Sequence, residues 1–208
     1  EILARHGVVM TEEEYFERYL GFDDRDCFTE CYRTAGMILP GDKLATLIEE
    51  KAERYAERAK GGVPFFPGAI ELVRACAERW LLGIVSGALR VEIEEALRSA
   101  KLRKPFSVIV SAEDVSRGKP NPEGYEKALA SLSERRRSKF PGSALEPSRC
   151  VAVEDSPAGI DAAHGAGMRC VAVAHTYLSG KLVTAERVVE RIEELRAESL
   201  EGVARKSG

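Results

Sequence analysis

Apolar positions follow two rhythms along this chain. Up to about residue 62 they recur at helical spacing. Thr11-Glu12-Glu13-Glu14 is a capping box that opens a helix running to about Leu20, and Gly21 interrupts it. A second amphipathic stretch spans 24–34. A third spans 42–59 and places Leu44, Leu47, Ile48, Ala52, Tyr55, Ala56 and Ala59 on one face. Beyond Gly61-Gly62 the pattern changes. Short aliphatic runs at 81–85, 107–110, 150–153 and 170–173 are bounded by polar residues or glycine, with amphipathic helical segments near 69–79, 91–99, 123–131 and 158–166. Strand alternating with helix, with no polar alternation inside the strands, is the mark of a buried parallel sheet covered on both faces. The chain therefore reads as a helical domain at 1–62 and an α/β domain at 63–208. Residues 133–148, with Arg135-Arg136-Arg137, Pro141-Gly142 and Pro147, read as a polar surface loop, and the arginine triplet as a solvated helix end.

Composition narrows the function classes. A formal net charge of −3 removes the usual electrostatic argument for nucleic acid or an anionic membrane. No apolar run has the length of a membrane span. Cys27, Cys31, Cys76, Cys150 and Cys170 are scattered without a zinc-type spacing, which suits reduced thiols in the cytoplasm.

Ligands of open parallel sheets bind at the carboxyl ends of the strands. Ser86-Gly87 follows the first apolar run, where a hydroxyl and free N–H groups would hold an anionic oxygen. Lys119, between Gly118 and Pro120, is aimed by a restricted loop and suits phosphate charge; Asn121-Pro122 then reads as the N-cap and first residue of a helix. Glu154-Asp155 ends the third run. Two adjacent carboxylates there need compensation, which a hard divalent cation such as Mg²⁺ supplies. None of these tips offers a nucleophile, and the histidines are isolated.

These segments carry a family resemblance. "IVSGA" at 84–88, "GKPNPEGYEKAL" at 118–129 and "VEDSPAGIDAAHGAGM" at 153–168 resemble the second, third and fourth motifs of the haloacid-dehalogenase-like hydrolases. With "PGAIELV" at 67–73 and "TEEEYFERYLGFDDRDCF" at 11–28, the chain is most similar to the branch with a helical cap that includes β-phosphoglucomutase and sugar-phosphate phosphatases. The resemblance implies a Rossmann-like parallel sheet with helices on both faces, plus an all-α cap. It implies that Ser86 and Gly87 bind the transferring phosphoryl group, that Lys119 and Asn121 help hold it, and that Asp155 with Glu154 binds Mg²⁺. Gly21 and Arg25 lie in the cap stretch that faces substrate in such proteins.

The family's first motif, Asp-x-Asp-Gly-Thr/Val, is absent, and with it the attacking aspartate and the central strand of the sheet. That motif is expected upstream of Glu1. The implied function is a Mg²⁺-dependent phosphomonoester phosphatase acting on a small phosphorylated metabolite through an aspartyl-phosphate. The partners expected are that metabolite, with no nucleic acid and no membrane, and a monomer is favoured. A sugar-phosphate mutase of the β-phosphoglucomutase kind is the alternative, against which Leu20 and Ala88 stand where the mutase pattern has lysine and serine. A truncated, non-catalytic member of the family is the third reading.

Overall fold

A computed structural model describes residues 1–19, 22–140, 142 and 144–205, with the side chains of Glu17 and Lys139 left out. The first part of the chain forms helices α1 (Ile2–Arg5), α2 (Glu12–Arg18), α3 (Asp24–Thr34) and α4 (Gly41–Ala59). Thr11 caps α2 as the sequence pattern requires: its hydroxyl accepts from Glu14 N at 3.1 Å, and Glu14 accepts from Thr11 N at 2.9 Å. Asp23 caps α3 by accepting from Asp26 N at 2.8 Å. These helices bury a cluster of their own, formed by Leu3, Val8, Tyr19, Phe28, Cys31, Tyr32 and Leu47. They form a separate all-α cap region.

The rest is strand alternating with helix: α5 (Ala69–Ala77), β1 (Leu82–Val85), α6 (Arg90–Ser99), β2 (Phe106–Val110), α7 (Glu123–Lys139), β3 (Val151–Glu154), α8 (Pro157–Gly165), β4 (Arg169–Val173), β5 (Arg187–Val189) and α9 (Ala197–Arg205). Every strand pairing is parallel. β1 pairs with β2, setting Val85 opposite Val110; β4 pairs with β3 on one side and β5 on the other. β4 is the most deeply buried strand, with Cys170, Val171 and Ala172 fully inside, as its unbroken apolar run demands.

Among the described residues the strands make two sheets, β1–β2 and β3–β4–β5, with no ladder between β1 and β3. Each of those two strands keeps one unpaired edge, and Val153 of β3 is 41% exposed.

Three expectations change. The stretch 133–148 is not a loop throughout, because α7 continues to Lys139 and carries Arg135, Arg136 and Arg137 on its exposed last turns. Glutamate and arginine are strong helix formers, so the helix outlasts its apolar stripe. Neither β5, only three residues long, nor α9 has a counterpart in the sequence reading.

Candidate active site

The loops after β1, β2 and β3 meet at the carboxyl ends of the two sheets, where Lys119 joins them. Its Nζ donates to the Val85 carbonyl at the end of β1, at 3.2 Å, and to the Glu154 carboxylate at the end of β3. The Lys119 and Glu154 side chains are largely buried, at 19% and 5% exposure. Glu154 is held a second time: the buried Tyr125 hydroxyl donates to the same Oε1. Lys119 also lies 5.4 Å from the centre of the Tyr125 ring, a cation–π distance. Burial first, and then the neighbouring Glu154 charge, push the Tyr125 hydroxyl well above its ordinary range, so it stays a donor. A lone carboxylate here would be costly; an ammonium and a phenol make it tolerable.

The loop that carries Lys119 is clamped from its own helix. Glu123, in the first turn of α7, accepts from Ser116 N at 2.9 Å, Arg117 N at 3.0 Å and Lys127 Nζ at 2.6 Å. The hydrogen bond from Lys127 and those from the two amides hold its carboxyl down, to about 2. Asn121 Oδ1 accepts from Glu123 N at 3.1 Å just ahead of α7, whose cap position falls on Pro122, one residue later than the sequence pattern places it.

A small cleft, open to solvent, lies beside Lys119. Ser86, Gly87, Asn121, Arg117 and Tyr125 line it from the core, and Asp23 lines it from the cap. The Ser86 hydroxyl accepts from Ala88 N at 3.1 Å, which leaves its own O–H to donate to an oxygen in the cleft. Ser86, Gly87, Lys119 and Asn121 thus share one cleft, and Glu154 is tied to it through Lys119. Asp155, the next residue, is exposed and accepts from the Thr176 hydroxyl beyond β4. Arg25 is exposed in the first turn of α3 and is not among the residues that line the cleft; Asp23, two residues earlier, is. Gly21 lies outside the described residues.

Tyr125, Thr176, Glu123 and Asp23 were not singled out from the sequence. Tyr125 and Glu123 fall inside the "GKPNPEGYEKAL" segment, so the signal was present but pointed only to Lys119 and Asn121. One Asp-x-Asp does occur, Asp24-Arg25-Asp26. It sits in the first turn of a cap helix rather than at a strand end, and its first carboxylate is taken by Lys51, so it does not match the family's first motif.

The donor set suits a hard cation in part. Asp155 and Glu154 offer carboxylate oxygens at one strand end, the ligand type Mg²⁺ takes. Among the described residues no three His, Cys, Asp or Glu side chains gather as a metal set. Mg²⁺ keeps several waters and shares substrate oxygens, so two protein carboxylates are compatible with it.

The geometry agrees with what comparison finds. The model of the haloacid dehalogenase-like hydrolases matches residues 1–173. The chain is 36% identical over 130 residues to validoxylamine A 7'-phosphate phosphatase of Streptomyces hygroscopicus subsp. limoneus, a match covering 62% of this chain and 56% of that protein. The chain thus spans about half the length of this curated relative. Among solved structures it resembles CbbY from Rhodobacter sphaeroides in complex with phosphate, with a TM-score of 0.75 and 28% identity, over 93% of this chain and 85% of that one. β-Phosphoglucomutase from Clostridium difficile shares the fold, with a TM-score of 0.81 at 20% identity, over 98% and 86% of the two chains. With its parallel core, its helical cap and a match over most of its length, this chain belongs to the haloacid dehalogenase-like hydrolases.

Proposed function

We propose that the whole protein is a Mg²⁺-dependent phosphatase of small phosphomonoesters, with residues 1–62 as its cap and 63–208 as its catalytic core. The observation that carries this reading is Lys119, which ties the ends of β1 and β3 together beside a cleft lined by Ser86 and Gly87. In this reading the phosphoryl group lies in that cleft. Lys119 offsets charge on its oxygens, and the Ser86 O–H and backbone donors around Gly87 orient it for in-line attack. Asp155 and Glu154 would hold Mg²⁺, which when bound neutralises further phosphoryl charge. Tyr125 keeps Glu154 in place, and Thr176 does the same for Asp155.

The attacking carboxylate belongs, in this reading, to an Asp-x-Asp-Gly-Thr/Val strand that precedes Glu1 in the whole protein. It would pair with the open edges of β1 and β3 and bring its aspartate to the Lys119 tip. The first aspartate forms an aspartyl-phosphate, and the second protonates the leaving oxygen and then activates water. The test uses the whole protein with its native N-terminus on a panel of phosphomonoesters. Mg²⁺-dependent phosphate release is expected, abolished by chelation and lowered at least about 100-fold by Lys119→Met. No release from any ester, or full activity in Lys119→Met, overturns the reading.

A further inference from the structure

Cap and core meet in a small, half-buried group of charges. Lys51, midway along α4, lies 2.7 Å from the Glu92 carboxylate of α6 and 3.0 Å from Asp24 Oδ2 of α3. Glu92 is only 4% exposed, while the Asp24 and Lys51 side chains are 19% and 31% exposed. One ammonium therefore serves two carboxylates, two of the three groups coming from the cap and one from the core. The Tyr55 ring lies 5.8 Å from the same ammonium. The arms differ. Glu92 takes a hydrogen bond from Lys51, whereas Asp24 Oδ2 has the ion-pair distance without hydrogen-bond alignment. Exposed ion pairs contribute little, but buried pairs are costly to break, because each partner left behind keeps an uncompensated charge.

The location of this triad links it to the phosphate cleft. The second Glu92 oxygen accepts from Leu89 N at 2.9 Å, which fixes the start of α6 just after the Ser86-Gly87 loop. On the cap side, Asp24 follows Asp23, which lines the cleft and packs on Gly87 and Gly118. Separating cap from core pulls Lys51 and Asp24 away from Glu92, so opening has to take the ammonium from the buried Glu92 carboxylate.

We infer that Asp24, Lys51 and Glu92 are positioning residues that latch the cap shut over the phosphate cleft, acting through Asp23 and the Ser86 loop without touching substrate. The kinetic consequence rests on the phosphatase reading; the structural one does not. A latch of this kind favours the closed, binding-competent cap. Releasing it lowers the competent fraction and raises KM while leaving the bound complex nearly as fast.

Hydrogen exchange and steady-state kinetics on the whole protein test this. In Lys51→Met, amide exchange at 23–26 and 86–92 is expected to rise tenfold or more. The buried cap cluster around Tyr32 and Leu47 should keep its protection, and so should β2. Lys51→Arg, which keeps the charge, should stay close to the parent. KM should rise about tenfold in Lys51→Met with kcat changed by less than about threefold. Glu92→Gln, which can still cap α6, gives a milder shift of the same kind and serves if Lys51→Met does not fold. Unchanged exchange at both segments overturns the latch. So does a rise spread through the whole cap, since the triad would then support the cap's own fold rather than its seat. If the parent protein releases no phosphate while exchange follows the expected pattern, the latch stands and the phosphatase reading falls.

Discussion

Glu154 shows how a single side chain is made usable at a strand end. It is buried and ionisable, and it is satisfied by one ammonium and one phenol on the same oxygen. Tyr125→Phe removes the phenol and leaves the carboxylate short of a donor. Stability is expected to fall by about 1–3 kcal/mol, the scale of a hydrogen bond to a charged group, measured by denaturant unfolding. Glu123 gives a pH prediction. Its folded pKa is depressed to about 2 from an ordinary 4.5. The unfolded chain therefore binds the proton more readily, and the clamp on the 116–117 loop is fully present above the ordinary value and is lost as pH falls toward about 2. The amide resonances of Ser116 and Arg117 should titrate near the lower value; a midpoint at the ordinary glutamate value would show that the clamp is absent. Ser86 and Glu154 were legible because motif and strand end coincide there, and Lys119 because glycine and proline flank it; the structure sets Ser86 and Lys119 in one cleft and ties Glu154 to Lys119. The sequence did not reveal Tyr125, whose place one turn into a helix looks like a core position until its hydroxyl is seen on Glu154.

Helices and strands were legible where their period was long or their caps were strong. Thr11 announced α2, and the strands around 81–85 and 170–173 showed as bounded aliphatic runs. The three residues of β5 are too few to display a period, and α7 outran its apolar face on helix-forming charged residues. Two helical glycines separate propensity from packing. Gly202 of α9 has open space around it, so Gly202→Ala should stabilise the fold by about 0.5–1 kcal/mol. Gly159 lies at the start of α8, and a Cβ there would run into the Glu154 carboxylate. Gly159→Ala should therefore lower thermal stability despite its better propensity and displace the carboxylate that Lys119 holds. Parallel gains in both variants, read from melting temperatures, would contradict this placement of Glu154.

At the scale of the molecule, two half-sheets and a cap converge on one small region. Among the described residues the half-sheets share no ladder, and Lys119 joins their ends by one carbonyl and one carboxylate. The way the cap sits could not be anticipated, because it depends on contacts between residues far apart in sequence. A Cβ on Gly87 would come within 3.2 Å of Asp23 Cβ and 3.4 Å of its Cα, and one on Gly118 within 2.5 Å of Asp23 Oδ2. Gly87→Ala should weaken substrate binding more than it slows turnover, measured as a larger rise in KM than fall in kcat. The two missing side chains thus act as a hinge-free doorway: the lid rests flush only because nothing protrudes from the sill, and one added methyl would serve as a doorstop.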